Sequence, residues 1–263
     1  FDAIPGSPWV YWITPGIRRL FQTLPKLASI GKPWAGMHGG DVFRFCRLWW
    51  EVGITRIACG CKSHEQFLAT GRRWAPLMKG GRHCKWYGNQ EWVIAFDRDH
   101  YEILSFSGNK LPSRQFYFRE GVSFPKIVSN SFGTRYAPAG FVFDSATSSA
   151  FPSDPWFVLG LTNSSFAQYA LRLVNPTVNV QSGDIERIPV PLSTTSRLTL
   201  LVRSAVDLMK SSSAEDETTY DFTVPLPWEC GLETAARRAA LLAEIEREID
   251  EEVYRLYGIS DED

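Results

Sequence analysis

Residues 232–258, reading LETAARRAALLAEIEREIDEEVYRLYG, place apolar residues at Ala235, Ala239, Leu242, Ile245, Ile249, Val253 and Leu256. Steps of three and four residues put all of them on one stripe of an α-helix. Gly258 stands where a helix C-terminus takes a left-handed residue. A helix of about 27 residues is roughly 40 Å long. Its other faces are mostly Glu and Arg, so the stripe must lie on a partner surface, as in a spacer or coiled coil. The remainder of the chain therefore has to supply a body for this helix to rest on.

That body reads as mixed. Pro5, Pro8, Pro15, Pro25 and Pro33 leave room only for short elements before residue 36, among them a short amphipathic helix through Ile17, Leu20, Phe21 and Leu24. From about 74 to 145 the pattern changes to short runs of β-branched and aromatic residues between Gly, Asn, Asp and Pro. The segments 91–97, 124–129 and 139–145 each read as a strand. Residues 156–175 read as one helix with a strand-like start, ending before Pro176. Residues 187–192 read as an extended stop, and a further helix begins at 193–200 and runs toward Lys210. The acidic, polar segment 210–227 reads as a linker. The fold class is thus expected to be α/β (mixed α+β). A joining segment covers 1–35, a central domain 36–192 and a helical spacer region 193–263.

Hydrophobic content of 44% with 22% charged residues suits a globular protein, and 263 residues can bury a real core. The formal charge of −1 hides a segregation. Residues 1–138 hold 19 Lys+Arg against 9 Asp+Glu, a balance of +10, while 139–263 hold 9 against 20, a balance of −11. A basic half rich in Arg and aromatics is what a polyanion-binding face needs; the plainer alternative is a basic domain beside an acidic one. Five irregularly spaced cysteines fit a reducing cytoplasm better than a disulfide framework. No apolar run reaches the roughly 18 residues of a membrane span. The opening Phe1, in mid-phrase, reads as a cut from something longer.

An enzyme's signatures are not found. The sequence holds no G-x-G-x-x-G or P-loop pattern in a strand–loop–helix setting, no G-x-S-x-G, and no Asn/Asp-Pro-Pro-aromatic tetrapeptide, since NPTV at 175–178 differs. Cys59, Cys61 and His64, with His83 and Cys84 downstream, lack the paired knuckles of a zinc site, and no metal is expected. Asp97 and Asp99 around Arg98 read as a solvated hairpin end.

Four segments carry a family pattern: FDAIPGSPWVYWIT (1–14), GMHGGDVFRFCRLWWEVG (36–53), WAPLMKGGRHCKWYGNQEWVIAF (74–96), and the run 117–152 with 159–191. Together they resemble the region that follows the catalytic domain in large adenine-N6 DNA methyltransferases, including the PglX proteins of BREX phage-defence systems. Fused type IIG restriction–modification enzymes are near relatives, and the target-recognition part is similar to that of type I specificity subunits. Val42 departs from the pattern, which usually has Asn there. The resemblance implies a target-recognition domain that binds double-stranded DNA for an upstream methyltransferase domain of the same chain. That domain would use S-adenosylmethionine, with no cofactor in this segment. Other defence-system subunits or phage-encoded DNA-mimic inhibitors are implied as further partners. A fused restriction enzyme and a protein-docking module remain alternatives.

The residues suit that implication. Gly40 and Asp41 lie in the glycine-rich loop of the second segment. Lys79, Arg82 and Lys85, with Gly80 and Gly81 between, put cations on backbone that can approach phosphates closely, and Trp86, Tyr87 and Asn89 add flat faces and an amide. The alternative for 85–89 is a turn with half-buried aromatics. Ser129, Asn130, Ser131, Thr134, Arg135 and Tyr136 form a dense donor–acceptor run around one Arg, which can grip guanine bidentately; an ordinary strand-to-loop junction is the alternative. Trp49, Trp50 and Trp92 are expected to pack in a core rather than stack on bases.

Overall fold

The computed structural model describes residues 13–38, 41–106, 111–128 and 131–259. Thr14 accepts the Ile17 amide at 3.2 Å and Pro15 pre-sets the first turn of α1 (Pro15–Thr23), the short amphipathic helix expected there. The single turn α2 (Ala28–Gly31) and β1 (Trp34–Ala35) follow. The second segment folds as the turn α3 (Val42–Phe45), β2 (Cys46–Leu48) and the turn α4 (Trp49–Val52). Trp49 and Trp50 lie in this helical turn, and Trp50 is exposed rather than packed in a core. Next come α5 (His64–Ala69), β3 (Trp74–Met78) and β4 (Trp92–Ala95).

Asp97 does not end a hairpin. Its carboxylate accepts the His100 amide at 3.0 Å and opens the helix α6 (Arg98–Phe106), as a short acidic side chain does at a helix start. The strands β5 (Gly121–Pro125), β6 (Arg135–Ala137), β7 (Val142–Phe143) and β8 (Thr147–Ala150) complete two sheets. One is antiparallel in the order β1-β8-β5-β6; the other runs β2-β4-β3-β7, with β3 and β7 parallel. The strand expected at 124–129 lies earlier, because Val122, Ser123, Phe124 and Pro125 pair with β8 and the chain leaves the ladder at Pro125.

The helix expected over 156–175 is two helices, α7 (Pro155–Asn163) and α8 (Ser165–Val174). Ser164 breaks it: the hydroxyl donates to the Leu161 carbonyl at 2.6 Å and accepts from the Ala167 amide at 3.2 Å, closing one helix and capping the next. The short turn α9 (Ser182–Ile185) continues as turn through Arg187, Pro189 bridges Lys26, and α10 (Ser196–Ser213) follows, capped by Thr195. The last helix is α11 (Gly231–Tyr257), with Gly258 at φ +66° in the left-handed position.

Two apolar clusters result. The first joins Phe21 and Leu27, Val122 and Phe124, Leu159, Val202, and Ile245, Ile249 and Val253 of α11, so it draws on the joining segment, the central domain and the helical region alike. The second lies under the β2-β4-β3-β7 sheet around Phe67, Leu77, Ile94, Phe96 and Phe118. Only the carboxy-terminal half of α11 buries its stripe; Ala235, Ala239 and Leu232 are exposed. No described helix is long and apolar enough to cross a membrane.

Candidate nucleic-acid interface

The two sheets meet where the chain leaves β7 and enters β8 through Asp144, and there the loop following β3 docks on the open edge of β6. Trp86 donates its amide to the Thr134 carbonyl at 2.9 Å and accepts the Tyr136 amide at 2.7 Å. This satisfies an edge that would otherwise be unpaired. Docking bends the loop through unusual backbone: Trp86 at φ +68° and Asn89 at φ +57°, both non-glycine, and Gly88 at φ +139°. Such conformations persist only where surrounding contacts over-determine them.

Arg135 supplies much of that determination. It is 3% exposed, and its guanidinium donates to the carbonyls of Gly88 and Lys79, each at 3.0 Å. Burial pushes its pKa below the usual value, against the pull of Cys84, Glu91 and Asp144. Thr134 is equally enclosed: its amide donates to Asn163 Oδ1 at 2.8 Å, and Asn163 Nδ2 donates back to its carbonyl at 2.9 Å. Arg135 borders the cleft at the sheet junction with its guanidinium committed to the Gly88 and Lys79 carbonyls, and Thr134 lies outside that lining. Trp86 is buried and donates its indole N–H to Glu246 of α11 at 2.7 Å. Tyr87 donates to Asp221 at 2.8 Å, and burial, followed by Tyr220 and Asp221, pushes its pKa well up. These are anchors, not stacking platforms. Tyr136 stacks on Trp156 with ring centroids 4.7 Å apart and donates to Glu120 at 2.9 Å.

The expected phosphate contacts are also engaged. Lys79 pairs with the buried Asp144 at 3.0 Å, Arg82 with Asp216 at 3.0 Å and Lys85 with Glu246 at 2.8 Å. Asp216 and Glu246 both belong to the acidic half, so the segregated charges fold back on each other. Asp41 is exposed and caps α3 through the Arg44 amide at 3.2 Å. Gly40, Ser129 and Asn130 lie outside the described residues.

Beside these anchors the two sequence segments do converge, on a cleft of about 330 Å³. One wall is Gly80, Gly81, Arg82, His83 and Asn89; the other is Lys126, Ile127 and Ser131. The glycines keep the walls close. A Cβ on Gly81 would sit 2.9 Å from Asn89 Nδ2, and one on Gly133 would sit 2.9 Å from the Cys84 carbonyl. His83 Nε2 and Ser131 Oγ are 2.8 Å apart across the cleft. Asn89 donates to the Arg82 carbonyl at 2.7 Å, while its Oδ1 has no protein partner although it is buried. A buried amide oxygen without a partner is costly. Ile127 is 74% exposed at the rim. The sequence considers His83 only as a metal-ligand candidate and places Lys126 and Ile127 only within an expected strand, so none of the three is assigned to DNA from sequence; their signal was adjacency to the glycine loop and to the strand ending at Pro125.

No protein-family model matches the chain. Among curated proteins, the adenine-specific methyltransferase BrxX of Escherichia coli strain HS is 31% identical over 229 residues, which is 85% of this chain and 18% of that protein. The adenine-specific methyltransferase PglX of Lacticaseibacillus casei strain Zhang is 32% identical over 239 residues, again 85% of this chain and 19% of that protein. The chain thus spans about a fifth of the length of these relatives. Among solved structures, the type IIL restriction–modification enzyme MmeI in complex with DNA is similar with a TM-score of 0.49 and 14% identity, over 90% of this chain and 34% of that one. By sequence, the chain is homologous over most of its length to part of the adenine-specific methyltransferases BrxX and PglX.

Proposed function

We propose that this chain reads a short duplex DNA sequence on behalf of a site-specific adenine-N6 methyltransferase in phage defence. The observation that carries the reading is the cleft at the sheet junction. It joins the two segments expected to touch DNA, and its lining combines Arg82, His83, Lys126 and Ser131 with the unpartnered oxygen of Asn89. Cations near the rim attract phosphate, while an amide, a hydroxyl and an imidazole at fixed separation can discriminate base edges. Homology to proteins named adenine-specific methyltransferases supplies the modification. S-adenosylmethionine is assigned to a catalytic part beyond this chain.

The roles within the site differ from those expected of the sequence alone. Arg135, Thr134, Trp86 and Tyr87 shape the cleft, and His83, Asn89 and Ser131 face the bases. The test is to map methylated adenines in DNA from cells carrying the full-length protein with Asn89→Ala, His83→Ala or Ser131→Ala. A changed set of methylated sites is expected. An unchanged set at full rate from all three variants would refute the cleft as the reading surface.

A further inference from the structure

We infer that a second anion-binding surface, at the opposite end of β3 from the cleft, holds DNA phosphates; this rests on the DNA-reading function proposed above. A hollow of about 430 Å³ is lined by Arg47, Arg56, Arg72 and Arg73, with Glu51 and Trp74. Arg47 donates to the carbonyls of Cys46, at 2.6 Å, and Phe43. Arg72 donates to the Ile57 carbonyl at 2.6 Å. Neutral carbonyls fix a guanidinium in place without cancelling its charge. Arg73 lies over the Trp74 ring at 5.2 Å and reaches His100 at 2.8 Å, with Asp97 at 4.0 Å. Arg56 is exposed and has no acidic partner among the described residues. Glu51 is the only carboxylate in the lining, and one of its oxygens already accepts the Leu48 amide at 2.7 Å.

The contrast with the cleft decides where phosphate affinity resides. There, Arg82 in the lining and Lys79 and Lys85 beside it each face a carboxylate within 3.0 Å, which leaves Lys126 as the lining lysine with no acidic partner among the described residues. Here, four arginines meet one carboxylate in the lining. Arginine's planar fork also matches a phosphate better than lysine's point charge does. Six residues of extended chain separate Arg73 from Lys79, about 20 Å at roughly 3.3 Å per residue. That spacing along β3 is shorter than one duplex turn of about 34 Å.

The experiment measures duplex affinity of the full chain against salt concentration, for Arg56→Glu alone, Arg56→Glu with Arg72→Gln, and Arg56→Lys with Arg72→Lys. Arg56→Glu alters an exposed side chain and keeps the fold testable should Arg72→Gln disturb it. Each lost phosphate contact flattens the slope of log affinity against log salt by about 0.9, so the double variant should lose nearly two units and roughly 10- to 100-fold in affinity near 0.1 M salt. The lysine pair should retain most of the slope. The set of methylated sites in the full-length protein should stay unchanged, since phosphate contacts carry no sequence information. If the unsubstituted chain binds duplex DNA and both Glu-containing variants keep its slope, the hollow is not a phosphate site while the DNA reading stands. If the unsubstituted chain shows no salt-dependent affinity for any duplex, the DNA reading fails and this surface falls with it.

Discussion

Replacing Arg135 with Ala separates a reading role from a positioning role, because the two predict opposite assays. The guanidinium is buried and donates to the carbonyls of Gly88 and Lys79 at 3.0 Å each. Hydrogen bonds from a charged donor are worth about 1.5–3 kcal/mol apiece, so two amount to about 3–6 kcal/mol. The variant also relieves the cost of holding a cation away from water, several kcal/mol before any pairing. The opposing charges of Glu91 and Asp144 act only through space. The two opposing effects leave a net loss of about 2–4 kcal/mol, toward the upper end for a single substitution. For a chain of this size that lowers Tm by roughly 5–12 °C. Urea unfolding followed by circular dichroism measures it directly. Arg135→Lys should recover little, since one ammonium cannot span both carbonyls in the same geometry. If Arg135→Ala leaves stability within about 0.5 kcal/mol while altering which sequences are methylated, Arg135 contacts DNA and the positioning role is wrong.

Lys79→Ala should act on stability rather than on DNA affinity. It strands Asp144, whose side chain is 6% exposed; breaking such a pair costs about 3–5 kcal/mol when fully buried, and about 2–3 kcal/mol is expected here because Lys79 is partly solvated. A salt slope flattened by one unit with no change in urea midpoint would contradict this. Glu246→Gln keeps an acceptor for the Trp86 indole but releases the Lys85 charge, so the salt slope for duplex binding should steepen by about 0.9; an unchanged slope would mean that Lys85 does not face DNA. At low pH, Glu252 is the group to follow. Hydrogen bonds from Arg255, then Thr195, hold its pKa at about 2, below an unfolded value of about 4.3. Its contribution is therefore complete above about pH 4.5 and lost as pH falls toward 2. Glu252→Gln should flatten the acid limb of the stability curve in that window, and an unaltered limb would remove Glu252 from the account.

Periodicity located what local physics controls. The end of α1 before Pro25 and the end of α11 at Gly258 agree with the proline and glycine signals, because those ends are set by local backbone. Misreadings arose where one small polar side chain outweighed the apolar pattern: Ser164 splitting a continuous apolar run into two helices, and Asp97 starting a helix where a turn seemed due. The site divides the same way. Its two segments were legible as dense runs of donors, cations and glycines. Which member of each run faces inward was not, since that depends on contacts 29 to 160 residues away, such as Thr134 with Asn163 and Trp86 with Glu246. A run rich in Arg and Trp has the same composition whether it grips DNA or anchors a loop.

Block charge along a sequence is an equally ambiguous guide, for a reason the folded chain makes concrete. A balance of +10 followed by −11 suggests a positive face and a negative face. Yet Arg82 and Lys85 of the basic half are matched by Asp216 and Glu246 of the acidic half, and the potential there is largely cancelled at a few ångströms' range. What attracts a polyanion is the charge left after such pairing. Arg47 and Arg72 are held by carbonyls, and Arg56 has no acidic partner among the described residues. They contribute more to that residue of charge than the better-connected lysines of the glycine loop. The acidic half therefore does more than carry a helix. By pairing Arg82 and Lys85 beside the cleft, it leaves base discrimination to Asn89, Ser131 and His83, whose hydrogen bonds depend on sequence where a bare cation's attraction to phosphate does not.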